Sequence, residues 1–292
     1  MISCVICSRR PDIPAELKEN ITTTIGCEYE LVVIDNSRNE YSIFSAYNEG
    51  VRRAQGDILC FMHEDILYHT DIWGIKVIKY FEQYPQAGLI GIIGTHFLSK
   101  IPSGWWDTEI GSGHLLQRFY KGDTYTIEMD QRGDSTRVPT RVVAVDGLWM
   151  CVQRKIFSQV RWDEETFNGF HAYDLDMSLQ VYNAGYEVHI LWDILIEHKS
   201  YGNPNLSFHI ANQLLWDKWR NFLPLVKGVD MGPSEQQART KIVELNKIIQ
   251  KQEQEIARIY SSNAHRLGKM LLRPMRAIYK LFQKKKLNIV FN

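Results

Sequence analysis

The sequence predicts an α/β fold: a mainly parallel sheet flanked by helices, with a C-terminal helical extension. Three observations predict it. Short, continuously apolar runs recur through the first 200 residues, as strands buried on both faces require. Segments with helical spacing stand between several of them, the alternation that covers a sheet with helices. From residue 232 onward the pattern changes to heptads and then to a basic stretch.

The elements follow in order. ISCVICS (2–8) is a β-rich run at the start of the chain, and ELVVIDNS (30–37) is a second, ending in Asp35 and Asn36. SIFSAYNEGVRRAQ (42–55) has helical spacing, with Phe44, Tyr47 and Val51 on one side. DILCFM (57–62) is a third strand, and it runs straight into His63, Glu64 and Asp65. DIWGIKVIKYFEQY (71–84) is an amphipathic helix stopped by Pro85, and AGLIGIIGT (87–95) is a fourth strand. The rhythm breaks over 96–140, where GWWD (104–107), GSGH (111–114) and an alternating run predict a loop and a hairpin, a lid-like insertion. RVVAVDGLWMCVQRKIF (141–157) resumes a strand, carries Asp146-Gly147 in its middle and ends in a short helix. FNGFHAYDLDMSLQVYNAGY (167–186) is a polar loop followed by a helix that ends at Gly185, a natural C-cap. EVHILWDILIEHKS (187–200) is a strand ending in Glu197 and His198, and FHIANQLLWDKWRNF (208–222) is a helix closing the domain.

Bulk properties narrow the function. The 292 residues suffice for one large core or two modest domains. A net charge of zero gives no reason to expect nucleic acid as partner. The five cysteines, Cys4, Cys7, Cys27, Cys60 and Cys151, are odd in number and mostly lie in apolar runs, so they read as buried free thiols of a reducing compartment. No apolar run approaches the ~20 residues of a membrane span, and no secretory signal opens the chain. A cytoplasmic location is expected.

In a parallel sheet, ligands bind outside the carboxyl ends of the strands. Asp35 and the His63–Asp65 cluster therefore share one rim. The chain has no G-x-G-x-x-G after its first strand and no G-x-x-x-x-G-K-[ST]. Without either cradle, a diphosphate bound at this rim needs another charge partner, and a divalent metal held by acidic residues provides it. Asp65 and His198, each at a strand's end, are suitable ligand types for a borderline metal such as Mn²⁺.

Three stretches carry a resemblance. SAYNEGVRRAQGDILCFMHEDI, VDGLWMCVQRKIF with FNGFHAYDLDMSLQVYNAGY, and IEHKSYG followed by NQLLWDKW are similar, in that order, to the family 2 glycosyltransferases of the GT-A (Rossmann-like) fold. Within them the chain most resembles the bacterial branch whose metal motif reads H-x-D. The resemblance covers residues 1–222 and implies a GT-A domain over 1–225, with 96–140 as an acceptor-side insertion. It implies a metal-dependent, inverting transfer of a sugar from a nucleotide-sugar donor (a UDP-, GDP- or dTDP-sugar) to a glycan or lipid-linked hydroxyl, in cell-surface polysaccharide synthesis.

Roles follow residue by residue. Asp35 resembles the acidic residue that contacts the nucleoside, and Asn48, His63 and Glu64 fall on the donor side. Asp65 resembles the last aspartate of the metal motif and His198 the distal ligand for Mn²⁺ or Mg²⁺. Asp174 resembles the catalytic base, with Asp176 as the alternative, and Asp146, Gly147, Trp149, His171 and Asp176 fall on the acceptor side. Two positions depart from the common pattern: His63 replaces the first aspartate, and Tyr173 replaces the glutamate that often precedes the base. Two residues apart on a helix, Asp174 and Asp176 point about 200° from each other, so only one can face the substrate. The readings beside this one are a nucleotidyltransferase and a catalytically silent sugar-nucleotide or glycan-binding module.

The extension, 232–292, is different in kind. Ile242, Leu245, Ile249, Ile256 and Ile259 stand at a and d spacing over 236–260, with Gln252 at one d position. They imply a partner helix from a second subunit, which would make a homo-oligomer, or from the catalytic domain. Over 265–291, basic residues interleave with Leu271, Leu272, Ile278, Leu281 and Phe282. Such a segment reads as an element lying on an anionic membrane, here the inner face of the plasma membrane, or as a solvated basic face.

Overall fold

The computed structural model describes residues 1–200 and 205–261. The strands and helices run β1 (Ile2–Ser8), α1 (Ala15–Thr24), β2 (Tyr29–Asp35), α2 (Ile43–Arg53), β3 (Ile58–Met62), β4 (Ile66–Tyr68) and α3 (Trp73–Gln83). Next come β5 (Ala87–Gly91), β6 (Ile93–Thr95), β7 (Phe97–Leu98), β8 (Gly111–Lys121), β9 (Thr124–Arg132), β10 (Thr140–Arg141), β11 (Ala144–Val145) and β12 (Trp149–Gln153). The series closes with α4 (Tyr173–Asn183), β13 (Glu187–Ile190), β14 (Ile196–His198), α5 (Leu206–Trp219), β15 (Leu225–Val226) and α6 (Pro233–Ser261).

The apolar runs form the main sheet, in the order β10-β13-β5-β12-β3-β1-β2. β1 pairs parallel with β2 and β3, and β13 pairs parallel with β5, while β12 is antiparallel to both β3 and β5. β1, β2, β3, β5 and β13 thus point one way, and only β12 and β10 oppose them. All five residues of β3 and of β5 are buried, which is why these strands read as unbroken apolar runs. α2 starts where Ser42 caps the Ser45 N–H and buries Phe44, Ala46 and Tyr47.

A second sheet, β11-β6-β8-β14-β4, carries β9 on the outer side of β8. Here the structure differs from the simple reading. The apolar run 87–95 is not one strand: it leaves the main sheet after Gly91 and joins the second sheet at Ile93. Both halves are buried, so hydrophobicity alone carries no trace of the crossing. The hairpin expected within 96–140 is β8–β9, in unbroken register from Gly113↔Arg132 to Lys121↔Thr124. α1 has no strong sequence signal because only Leu17, Ile21 and Thr24 of AELKENITTT are buried.

The chain divides into two compact units, one spanning Met1–Val243 and a second starting at Glu244, and α6 begins in the first. In the second unit Leu245, Ile249 and Ile256 are exposed. The basic stretch 265–291 lies outside the described residues. No helix among the described residues is long and apolar enough to cross a membrane.

Trp149, expected on the acceptor side, sits elsewhere. It is fully buried in β12, packs edge-on against Trp73 at 6.3 Å, and donates its indole N–H to Tyr68 Oη at 2.8 Å. Side chains alternate faces along a strand, and at Trp149, the first residue of β12, the large side chain points into the core. Trp149→Phe should therefore lower unfolding stability by ~1–3 kcal/mol, from lost packing and the lost indole donor to Tyr68, while nucleotide affinity stays unchanged. Urea denaturation and nucleotide titration of the same preparation check both halves.

Candidate active site

The register of the main sheet builds the site. Ser8 lies level with Asp35, and Ile6 with Met62, so the ends of β1, β2 and β3 share one rim. His63, Glu64 and Asp65 leave β3 at that rim, and β14 brings His198 to them through its pairing with β4. His63, Asp65 and His198 each offer a ligand atom, and these atoms lie within 4.8 Å of one another. Asp65 Oδ1 is 3.8 Å from His63 Nδ1 and 3.7 Å from His198 Nε2. Two imidazoles and a carboxylate form a donor set that fits Mn²⁺ and related borderline ions. The cluster takes in His63, the first position of the H-x-D motif, whose role the sequence analysis set on the donor side.

Electrostatics agree with that use. Burial and the adjacent His198 imidazole hold His63 below its ordinary value, so its ring is neutral and has a lone pair to offer. Burial works against the Asp65 carboxylate, but the two imidazoles, Ser200 and Arg9 outweigh it, and the net shift is downward. Asp65 is the anion of the group.

Tyr173 supports the cluster from the neighbouring helix. Its hydroxyl and His63 Nε2 are 2.7 Å apart. Nδ1 faces Asp65 and Nε2 faces the Tyr173 hydroxyl, which orients the ring; with Nδ1 on a metal, Nε2 would carry the proton and donate it to Tyr173 Oη. Burial raises the Tyr173 phenol well above its usual range, so the hydroxyl stays protonated. The close approach depends on Gly147, where any Cβ would overlap the Tyr173 hydroxyl. Sequence reasoning took Tyr173 only as a departure from a pattern.

Asp174, the next residue, lies in the first turn of α4 and lines a cavity of about 840 Å³, whose wall also includes His63, Asp146, Gly147, His171 and His198. Burial and the Asp146 carboxylate push Asp174 up to about 7, against the backbone amides of Leu175, Asp174 and Gly147. Asp146 is held by the Trp105 indole N–H at 2.9 Å and the Leu148 N–H at 2.9 Å. Asp176 takes the other direction from the helix. It is 1% exposed, and Lys218, the Trp219 indole and Gln180 surround it. Of the two aspartates, the cavity receives Asp174 and the α4–α5 contact receives Asp176.

The donor-side residues are spread along the rim. Glu64 accepts from Ser8 Oγ at 2.7 Å and from Arg9 Nε at 2.8 Å, partners with no motif to reveal them. Asp35 is exposed, and its Oδ1 accepts the Ser37 N–H at 2.9 Å. Asn48 is engaged elsewhere: its amide donates to Trp162 O at 2.8 Å and accepts from Trp162 N–H at 3.3 Å, clamping α2 to the loop before α4. Its amide is committed to the scaffold and does not line the cavity.

A mixed α/β sandwich with a metal-competent cluster at the strand ends is the architecture of GT-A glycosyltransferases. The crystal structure of GalNAc-T7 with UDP, GalNAc and Mn²⁺ matches with a TM-score of 0.51 and 11% identity, over 76% of this chain and 50% of that one. At that identity the likeness shows the fold alone. The chain belongs to the glycosyltransferase-like family, whose sequence model matches residues 1–203. It is also 25% identical over 192 residues to the streptomycin biosynthesis protein StrF of Streptomyces griseus, an alignment spanning 62% of this chain and 62% of that relative's length.

Two outcomes are expected. Tyr173→Phe should weaken Mn²⁺ binding at least ~10-fold, as loss of a partner behind a metal-ligating histidine does, and titration by electron paramagnetic resonance measures it. For Asp174, the folded value near 7 lies above the unfolded one, so its contribution to stability is present below about pH 4 and lost as pH rises through about 7. Asp174→Asn should thus match the parent in Tm at pH 4 and exceed it by ~2–4 °C at pH 8.

Proposed function

We propose that the chain is a metal-dependent, inverting glycosyltransferase that uses a nucleotide-sugar donor. One observation carries the proposal. The carboxylate raised to about 7 opens into the same cavity as His63 and His198, and it stands one residue from the tyrosine that holds His63. Transfer needs a base for the acceptor and a charge partner for the leaving diphosphate, and the two stand side by side.

Asp174 takes the proton of the acceptor hydroxyl as that oxygen attacks the anomeric carbon. The new C–O bond forms while the bond to the diphosphate breaks, and the electron pair leaves on the diphosphate oxygen. A single displacement turns the anomeric centre over. His63, Asp65 and His198 would hold Mn²⁺ or Mg²⁺, which when bound supplies Lewis-acid stabilisation of the departing diphosphate. Glu64, fixed by Ser8 and Arg9, and exposed Asp35 line the path on which the nucleoside lies. The donor is a UDP-, GDP- or dTDP-sugar. The acceptor is a hydroxyl of a glycan or of a lipid-linked sugar in surface polysaccharide assembly. The helix over 236–260 would pair with a second copy, and the basic stretch 265–291 would place the enzyme on an anionic membrane face.

The test begins with thermal-shift binding of UDP, GDP, dTDP and their sugars, with and without Mn²⁺. A metal-dependent rise with one nucleotide series is expected, and Asp65→Asn should abolish the metal dependence. With the donor so found, Asp174→Asn should lose ~10²–10⁴-fold in turnover while keeping donor binding. In the parent, kcat/KM should climb with pH through about 7 as the base ionises. Full turnover in Asp174→Asn, or retention of the anomeric configuration by NMR, would sink the mechanism.

A further inference from the structure

The cavity is divided in character. Asp35, Glu64 and Asp65 lie outside its lining, whereas Asp174 and Asp146 are part of it. The nucleoside end of a donor therefore lies along the rim, and the enclosed volume of about 840 Å³ opens on the side from which the acceptor attacks.

Two features of that volume are unusual. The first is a flat aromatic wall. The Trp106 indole is 38% exposed and stacks on Phe208, with ring centroids 5.7 Å apart and planes 19° from parallel. It lies across Gly104, where a Cβ would overlap the ring, and it meets Trp105 edge-on at 5.8 Å. Packing on three sides holds the face in place with little entropy left to lose on binding. The exposed part of this ordered aromatic pair lines the cavity and suits the apolar C–H face of a pyranose ring.

The second feature is charge. Glu109, Asp130, Asp146 and Asp174 contribute four carboxyl groups to the wall. Among the described lining residues Arg132 is the one lysine or arginine. Its guanidinium is already engaged: Nε and Nη2 each donate to Asp130 at 3.0 Å, and the group lies 5.1 Å over the Trp105 ring. A metal on His63 and His198 would be taken up by the donor diphosphate, so a phosphate or uronate on the acceptor would meet carboxylates without a further cation to pair with, which is costly in a partly desolvated site.

We infer that Trp106 and Phe208 form the acceptor platform, and that the acceptor ring stacked there is a neutral or amino pyranoside carrying no carboxylate or phosphate. This rests on the glycosyltransferase reading and goes further, to the class of acceptor. Any diphosphate–lipid anchor on the acceptor is then separated from the receiving sugar by further rings, outside this cavity.

The experiment is saturation-transfer difference NMR on the full-length protein with Mg²⁺. The probes are methyl pyranosides of the gluco, galacto and manno series, each as the neutral, amino and uronate form, together with glucose 6-phosphate. Neutral or amino members of one series should receive saturation on one ring face, and the uronates and the phosphate should not. Trp106→Ala should cut that transfer ~10-fold, and Trp106→Phe should keep part of it. Asp130→Asn, which frees Arg132, should admit the matching uronate. Binding of uronate or phosphate as good as that of neutral sugars in the parent overturns the inference, as does an unchanged Trp106→Ala or the absence of any sugar binding. Nucleotide thermal shifts on the same samples keep the two readings apart. Shifts retained while the sugar pattern fails remove only the acceptor inference, and shifts absent in the parent remove the transferase reading beneath it.

Discussion

The hydrogen bond between His63 and Tyr173 is the joint on which the site depends. His63 belongs to the rim of the main sheet and Tyr173 to the first turn of α4, 110 residues later in the chain. One contact of 2.7 Å sets where the helix begins relative to the strand ends. Because Asp174 follows Tyr173 directly, the same contact sets where the carboxylate stands relative to the metal cluster. In a GT-A site, acid–base and charge-stabilising groups come from elements far apart in sequence, and their spacing must hold to within a fraction of an ångström. Here a single buried phenol links them.

The surroundings serve that joint. Tyr173 packs among Phe44, Tyr47 and Trp162, at centroid distances of 6.4, 5.9 and 6.3 Å, so α2 and the loop before α4 enclose its ring. Asn48 ties that loop to α2 through the Trp162 backbone. On the far side of α4, Lys218 bridges Asp176 and Asp163 at 2.7 Å each and fastens α5. Two aspartates of one helix turn thus divide their work. One is compensated by a cation and anchors the helix, and the other lacks a cation and is left chemically poised.

Much of this could be read from the residues. The strand ends at Asp35 and His63 were legible because buried strands are apolar without interruption and stop abruptly, whereas the run 187–200 is two strands, Glu187–Ile190 and Ile196–His198, in different sheets. Asp65 and His198 were legible as ligand types at such ends. The opposed directions of Asp174 and Asp176 follow from helix geometry, although which of them faces the cavity does not. Trp149 was misplaced because alternation along a strand does not reveal which face meets the core in a sheet buried on both sides. Asn48 was misplaced because an amide serves a scaffold as well as a ligand. His63 was marked locally by H-x-D, but its closeness to His198 depends on a strand 135 residues downstream and needed the third dimension. The break of 87–95 between two sheets escaped notice for the same reason, since an apolar run is silent about its partners.

Gly147 carries a consequence for how this site can change over time. The Tyr173 hydroxyl occupies the space that a side chain at 147 would need. The two positions are therefore one choice. A chain with alanine or anything larger at 147 must carry a shorter residue at 173, and His63 must then find another hydrogen-bond partner to orient its ring. A descendant crossing from this arrangement to the more usual acidic pair has to pass through an intermediate that is either crowded or hollow.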